Sequence, residues 1–172
     1  TYALQIASPT VGGKLLWARF VATGSIVSVT AWFLFVLQYG GYQEYLNRRR
    51  IALLASFSVV TVALAFTNHW VHAIWQSPDT IAYAGWPLLA TVKGPWFWVP
   101  LAAGYLFTFG SLVVSLDMFV RSDAVHRGQA MTLLVAALVP LLGNAVFYTT
   151  ARAQLPIDVT PILFTGTGAV VV

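Results

Sequence analysis

The sequence predicts an all-α fold, a polytopic transmembrane helix bundle, and three observations carry that prediction. Of 172 residues, 59% are hydrophobic and only 8% charged, against about 25% charged in an ordinary soluble domain. The apolar residues come in series, mostly in stretches of about 20 or more, the length a helix needs to cross roughly 30 Å of hydrocarbon. The stretches lack the ~10-residue alternating pattern of a membrane barrel. Five helices are predicted, at about 15–39, 51–75, 95–120, 128–148 and 159–172, in one transmembrane domain over residues 1–172.

The first stretch carries Trp17 and Arg19 near its start and stops at Gly40-Gly41. A tight loop with Gln43-Glu44 and the basic run Arg48-Arg49-Arg50 lead into the second. Residues 76–93 form a longer, largely apolar connection with Ser77-Pro78-Asp79 and Trp86-Pro87, expected to lie in the interface against the bundle. Pro95 suits the first turn of the third helix. A short polar loop, 121–127, precedes the fourth, which contains Pro140. Asp158-Val159-Thr160-Pro161 is a cap-then-proline start for the fifth. That last run covers only about 21 Å at ~1.5 Å per residue. Because the run is short and the chain opens on Thr1, a fragment of a longer protein is expected.

The net charge of +4, from nine Lys/Arg against five Asp/Glu, is small and sits at segment ends. It reads as a topology signal and not as a nucleic-acid surface. Arg48, Arg49, Arg50, Arg121 and Arg127 lie in brief loops on one side; Lys14, Arg19, Lys93 and Arg152 lie on the other. The first side is therefore expected to be cytoplasmic, in a plasma-membrane protein. Trp70, Trp75, Trp86, Trp96 and Trp98 then crowd the outer interface, as aromatic belts do generally.

With no cysteine, there is no disulfide and no thiolate metal or iron–sulfur site. Lys14 and Lys93 both lie near segment ends, which excludes a retinal Schiff base within this chain. No phosphate-binding loop, Ser/His/Asp grouping or paired mid-membrane carboxylate is present, so hydrolysis and ion pumping lose support and no catalytic residue is assigned.

Where polar residues do occur, each has a functional and a structural reading. The run Thr67-Asn68-His69-Trp70-Val71-His72 places amide and imidazole groups at the outer end of the second stretch. Spacings of four and three put Asn68, His72 and Trp75 on one helix face. The group is either a ligand or proton site, or a polar clasp to a neighbouring helix or loop. A zinc site needs more ligands than His69 and His72, and His126 lies on the other side, so neither metal nor cofactor is expected. Pro140, Asn144 and Tyr148 form one stripe: a kinked helix with an interhelical clasp, or the flexible point of a switch. Tyr105, Thr108, Ser111 and Ser115, with Gly104 and Gly110, read as a close-packing stripe. Asp117 reads as a local ion pair with Arg121 rather than a proton relay.

Several stretches, in order, carry a resemblance. Thr67-Asn68 with His72 and Trp75, Gly94-Pro95-Trp96-Phe97-Trp98 with Tyr105, Arg127-Gly128-Gln129-Ala130 with Pro140 and Asn144, and Asp158-Val159-Thr160-Pro161 with Phe164 and Gly166 resemble the seven-transmembrane N-terminal sensor region of prokaryotic histidine kinases. The resemblance covers the chain from about Lys14 and implies helices three to seven of such a region. It implies a stimulus detected at the outer half by Asn68, His72, Trp75, Trp96, Asp158 and Tyr148. Further implications are a homodimer, output through the last helix to a cytoplasmic kinase or other module, and a response regulator downstream. A non-catalytic accessory subunit of a larger membrane complex is the rival from another class, and a haem or quinone electron carrier a second.

Overall fold

The computed structural model describes residues 2–83 and 86–150, and helix is the dominant element throughout. A short helix α1 (Tyr2–Ala7) is followed by α2 (Val11–Tyr39) and α3 (Arg48–Phe66). A single turn α4 (Asn68–Val71) leads into a hairpin of strands β1 (Trp75–Tyr83) and β2 (Trp86–Lys93). Helices α5 (Trp98–Arg121) and α6 (Ala124–Thr150) complete the described chain. Three segments, Val11–Tyr39, Arg48–Phe66 and Pro95–Arg121, are long and apolar enough to cross a membrane. The fold class is thus the multi-pass helical one, although a run of five such spans is not what the described residues display. The expected helix at 159–172 lies outside the described residues.

Helix ends follow local chemistry. Thr10 caps α2, its hydroxyl accepting from the Gly13 amide at 3.1 Å. At the other end Gly41 takes a left-handed φ of +83°, which lets the Tyr42 amide reach back to the Leu37 carbonyl at 2.9 Å and close the helix. Only Ser122 and Asp123 separate α5 from α6. Helix α6 runs through Pro140 and Asn144 without a break in its assigned backbone; the side chains of Pro140, Asn144 and Tyr148 lie outside the described residues.

The second predicted helix is corrected. It ends at Phe66, not near Trp75. After Phe66 the chain re-forms one helical turn and leaves at His72, whose left-handed φ of 52° cannot continue a right-handed helix. The connection predicted as an interfacial loop is mostly a hairpin, rich in the β-branched and aromatic residues that suit a pleated ribbon. Its antiparallel register pairs Trp75 with Lys93, Thr80 with Leu89 and Ala82 with Pro87, with a bulge between Gln76 and Asp79. Pro87 is tolerated because both strands of a two-stranded ribbon are edges.

The chain divides into two compact units. The first comprises Thr1–Ala31 and Arg48–Tyr105. Its core gathers Ala18, Ala65, Ile74 and Trp75, with Ala22, Leu64, Leu89, Trp96 and Phe97 packed around them. An isolated hairpin is marginal in water; this one is fastened at its root by that cluster. Helices α2 and α3 are also joined here by a buried hydroxyl pair, Thr30 to Ser58 at 3.1 Å. Lys14 is fully buried, and its ammonium donates to the Gln5 and Ile6 carbonyls at the end of α1, at 3.2 and 2.9 Å. The carbonyl end of a helix is where a cation is favoured.

The second unit comprises Trp32–Asn47 and the described part of Leu106–Val172. Phe33 stacks on Phe107 at 5.2 Å, and Gly110 leaves room for the Phe33 ring. Gly104 belongs to the first unit, where a Cβ on it would meet nothing within 4 Å among the described residues. Ser111 and Ser115 are fully buried, in keeping with the small-residue stripe. Asp117 forms the expected ion pair with Arg121 at 2.7 Å.

Candidate functional site

The site forms where α3 gives way to the hairpin. His72 takes the left-handed conformation, φ 52° and ψ 30°, with its amide donating to the Asn68 carbonyl at 2.8 Å. That turn redirects the chain, so Asn68, His72 and Trp75 do not share a face of one continuous helix as predicted. Trp75 opens β1 instead. What joins them is the Asn68 side chain. Its Oδ1 accepts from the Ile74 amide at 2.7 Å and the Trp75 amide at 3.0 Å, while its Nδ2 donates to the Trp75 carbonyl at 2.8 Å. A buried asparagine thus supplies the pairing that a strand neighbour would otherwise give to the first residues of the hairpin. Both Oδ1 lone pairs are taken, and one N–H remains.

Gly94 completes the root. Its amide donates to the Ile74 carbonyl at 2.8 Å, and the Trp96 amide donates to the Ala73 carbonyl at 2.9 Å. A Cβ at Gly94 would fall on the Ala73 carbonyl group, so glycine is required by this close approach.

Beside this joint lies a cleft of about 150 Å³, lined by Leu15, Arg19, Asn68, His69, His72, Trp75 and Pro78. Leu15 and Arg19 are one turn apart on α2 and form one wall. The Arg19 Nε is buried without a hydrogen-bond partner among the described residues. Both imidazoles are exposed at the rim, with His69 against the Trp70 ring at 4.1 Å. Trp70 itself is 74% exposed and turned out of the core. Asp79, next to the cleft residue Pro78, accepts from its neighbour's Thr80 amide at 2.7 Å and is not among the lining residues. Among the described residues, no three potential metal-ligating side chains converge.

Of the residues expected at an outer site, Asn68, His72 and Trp75 line this cleft, and His69 joins them. Trp96 does not; it packs on the core cluster, its Nε1 buried without a partner among the described residues. Asp158, and the side chain of Tyr148, lie outside the described residues. Arg19, Leu15 and Pro78 were missed. A sequence signal for Arg19 existed: it is a fixed charge inside an apolar spanning segment, and such residues are functional candidates by default. Reading it only as a topology marker passed over that.

A serial helical fold and, among the described residues, three membrane-length segments define a multi-pass membrane protein. The chain matches, over residues 1–172, the model of the family described as the N-terminal 7TM region of histidine kinase, and it belongs to that family. Comparison with curated proteins and with solved structures yields no match. The chain is therefore a transmembrane sensor region of the histidine-kinase type, acting in signal transduction.

Proposed function

We propose that residues 1–172 act as one transmembrane sensor domain, corresponding to helices three to seven of the region, that receives its stimulus at the cleft beside α4. The observation that carries this reading is the cleft itself: Asn68 is latched to adjacent backbone, yet an open volume lies next to it, lined by Arg19, His69 and His72. A packing subunit has no need of an arginine in that wall. Occupancy would favour one arrangement of the hairpin joint over another. A coupling of about 1–3 kcal/mol between stimulus and output is enough for a 5- to 150-fold response.

The orientation proposed from the basic loops puts Arg48–Arg50 and Arg121–Arg127 in the cytoplasm and the cleft outside, at the plasma membrane. The output proposed is a cytoplasmic kinase module, working as a homodimer and passing its phosphoryl group to a response regulator. The test fills the cleft. Leu15→Trp in the kinase that carries this chain, reconstituted in vesicles, is expected to change basal autophosphorylation at least about fivefold with membrane insertion unaltered. Unchanged basal output would refute the cleft as the input.

A further inference from the structure

We propose that the cleft binds a small organic carboxylate, with Arg19 as its anchor; this deepens the sensor reading above and rests on it for its biological sense. The argument begins with charge. A guanidinium stays protonated at any accessible pH, and a buried N–H of a charged group without an acceptor is costly. Arg19 lines the cleft, and its Nε lies buried behind that surface with no acceptor among the described residues. None of the lining residues is acidic. Arg19 has no carboxylate partner among the described residues.

The rest of the lining narrows the ligand. Arg19, the remaining Asn68 N–H and the imidazole N–H groups of His69 and His72 are donors. The amide oxygen of Asn68 already accepts two bonds, which leaves one ring nitrogen on each neutral imidazole as the side-chain acceptors of the lining. A sugar or polyol needs acceptors as well as donors and is poorly served. A metal cation meets a fixed positive charge. An oxyanion matches both charge and donor set, and the planar guanidinium fork fits a carboxylate with two parallel bonds. Leu15, Trp75 and Pro78 supply an apolar bed for a short hydrocarbon or aromatic body. The volume, about 150 Å³, is that of a cavity able to hold a benzene-sized group. It suits a compact monocarboxylate better than a lipid phosphate with its glycerol and chains.

Benzoate is the probe, with benzamide as its uncharged isostere. Binding to the full protein in nanodiscs of zwitterionic lipid, followed by equilibrium dialysis of radiolabelled ligand, is expected to saturate for benzoate and to be at least about tenfold weaker for benzamide. Arg19→Gln is expected to remove that preference, and Arg19→Lys to restore part of it. Leu15→Trp, which leaves the guanidinium in place and fills the bed, serves if Arg19→Gln does not fold; it is expected to weaken benzoate at least about tenfold. Equal binding of the two probes, or benzoate affinity unchanged in Arg19→Gln and Leu15→Trp, would overturn the proposal. So would loss of benzoate binding in nanodiscs containing anionic phosphatidylglycerol, because the site would then belong to a lipid phosphate. Binding is read without kinase activity. Saturable, Arg19-dependent binding with no change in autophosphorylation would sink the sensor reading and leave the ligand class standing; the reverse pattern would do the opposite.

Discussion

The Tyr42–Asp117–Arg121 cluster and the Arg19 cleft are both small groups of hydrophilic side chains in an apolar chain, but the first is closed on itself and the second is not. Asp117 receives the Arg121 guanidinium on one carboxylate oxygen at 2.7 Å and the Tyr42 hydroxyl on the other at 2.7 Å. Its charge and both its oxygens are answered within the chain. Arg19 has a guanidinium of the same kind, yet its buried Nε is unanswered among the described residues, and the residue lines a cleft. The contrast separates a polar group kept for packing from one left available to something else. Counting charges in the sequence cannot make that separation, since Arg19 and Arg121 both lie toward the end of an apolar stretch.

The comparison can be broken at the joint first. Gly94→Ala is expected to have the largest effect, because a Cβ would meet backbone that cannot yield; a loss of about 3 kcal/mol, visible as a lower unfolding temperature in detergent and proteolysis within the hairpin, is anticipated. Asn68→Ala should follow, at about 2–3 kcal/mol, since it strands the Ile74 and Trp75 amides. Asn68→Asp keeps the acceptor and should cost less. A hairpin that survives Asn68→Ala in the same assay would show that the core cluster alone holds it.

Smaller changes sharpen the contrast. His72→Gly removes an imidazole from the rim while suiting the left-handed backbone, so stability is expected to stay level or rise by up to about 1 kcal/mol. A large loss in thermal unfolding would mean that the ring is structural. Asp117→Asn, at a pair whose arginine is 74% exposed, should cost only about 0.5 kcal/mol. The smallest effect belongs to Tyr42. The hydrogen bond to Asp117, helped by desolvation and the carboxylate's charge, raises its phenol above the usual value of 10.0. A raised acid pKa means that the bond contributes fully below the unfolded value and is lost as pH climbs through the folded one. An absorbance titration should therefore show one tyrosine ionising late, and Asp117→Asn should bring it back.

Much of this was legible in the residues. Apolar length marked the spans, Gly40-Gly41 marked the turn after α2, and Gly94-Pro95 the approach to α5. Asn68, His72 and Trp75 were singled out because polar groups in hydrocarbon need a partner or a cavity. What misled was periodicity. Spacings of three and four imply a shared face only while the helix continues, and here it stops at Phe66. Trp96 was placed at the site by its position along the chain, whereas its ring packs in the core.

By itself, then, the amino-acid order determined that this protein is a helical membrane protein, because apolar stretches of that length must satisfy their own backbone in lipid and helix is the local way to do so. The tertiary arrangement alone decided that Arg19 on α2 lines the same cleft as Asn68 and His72 beyond α3, that Lys14 is answered by carbonyls, and that the Arg19 Nε has no acceptor among the described residues. Those outcomes depend on which distant groups come within hydrogen-bond reach, and no local pattern of residues encodes that distance.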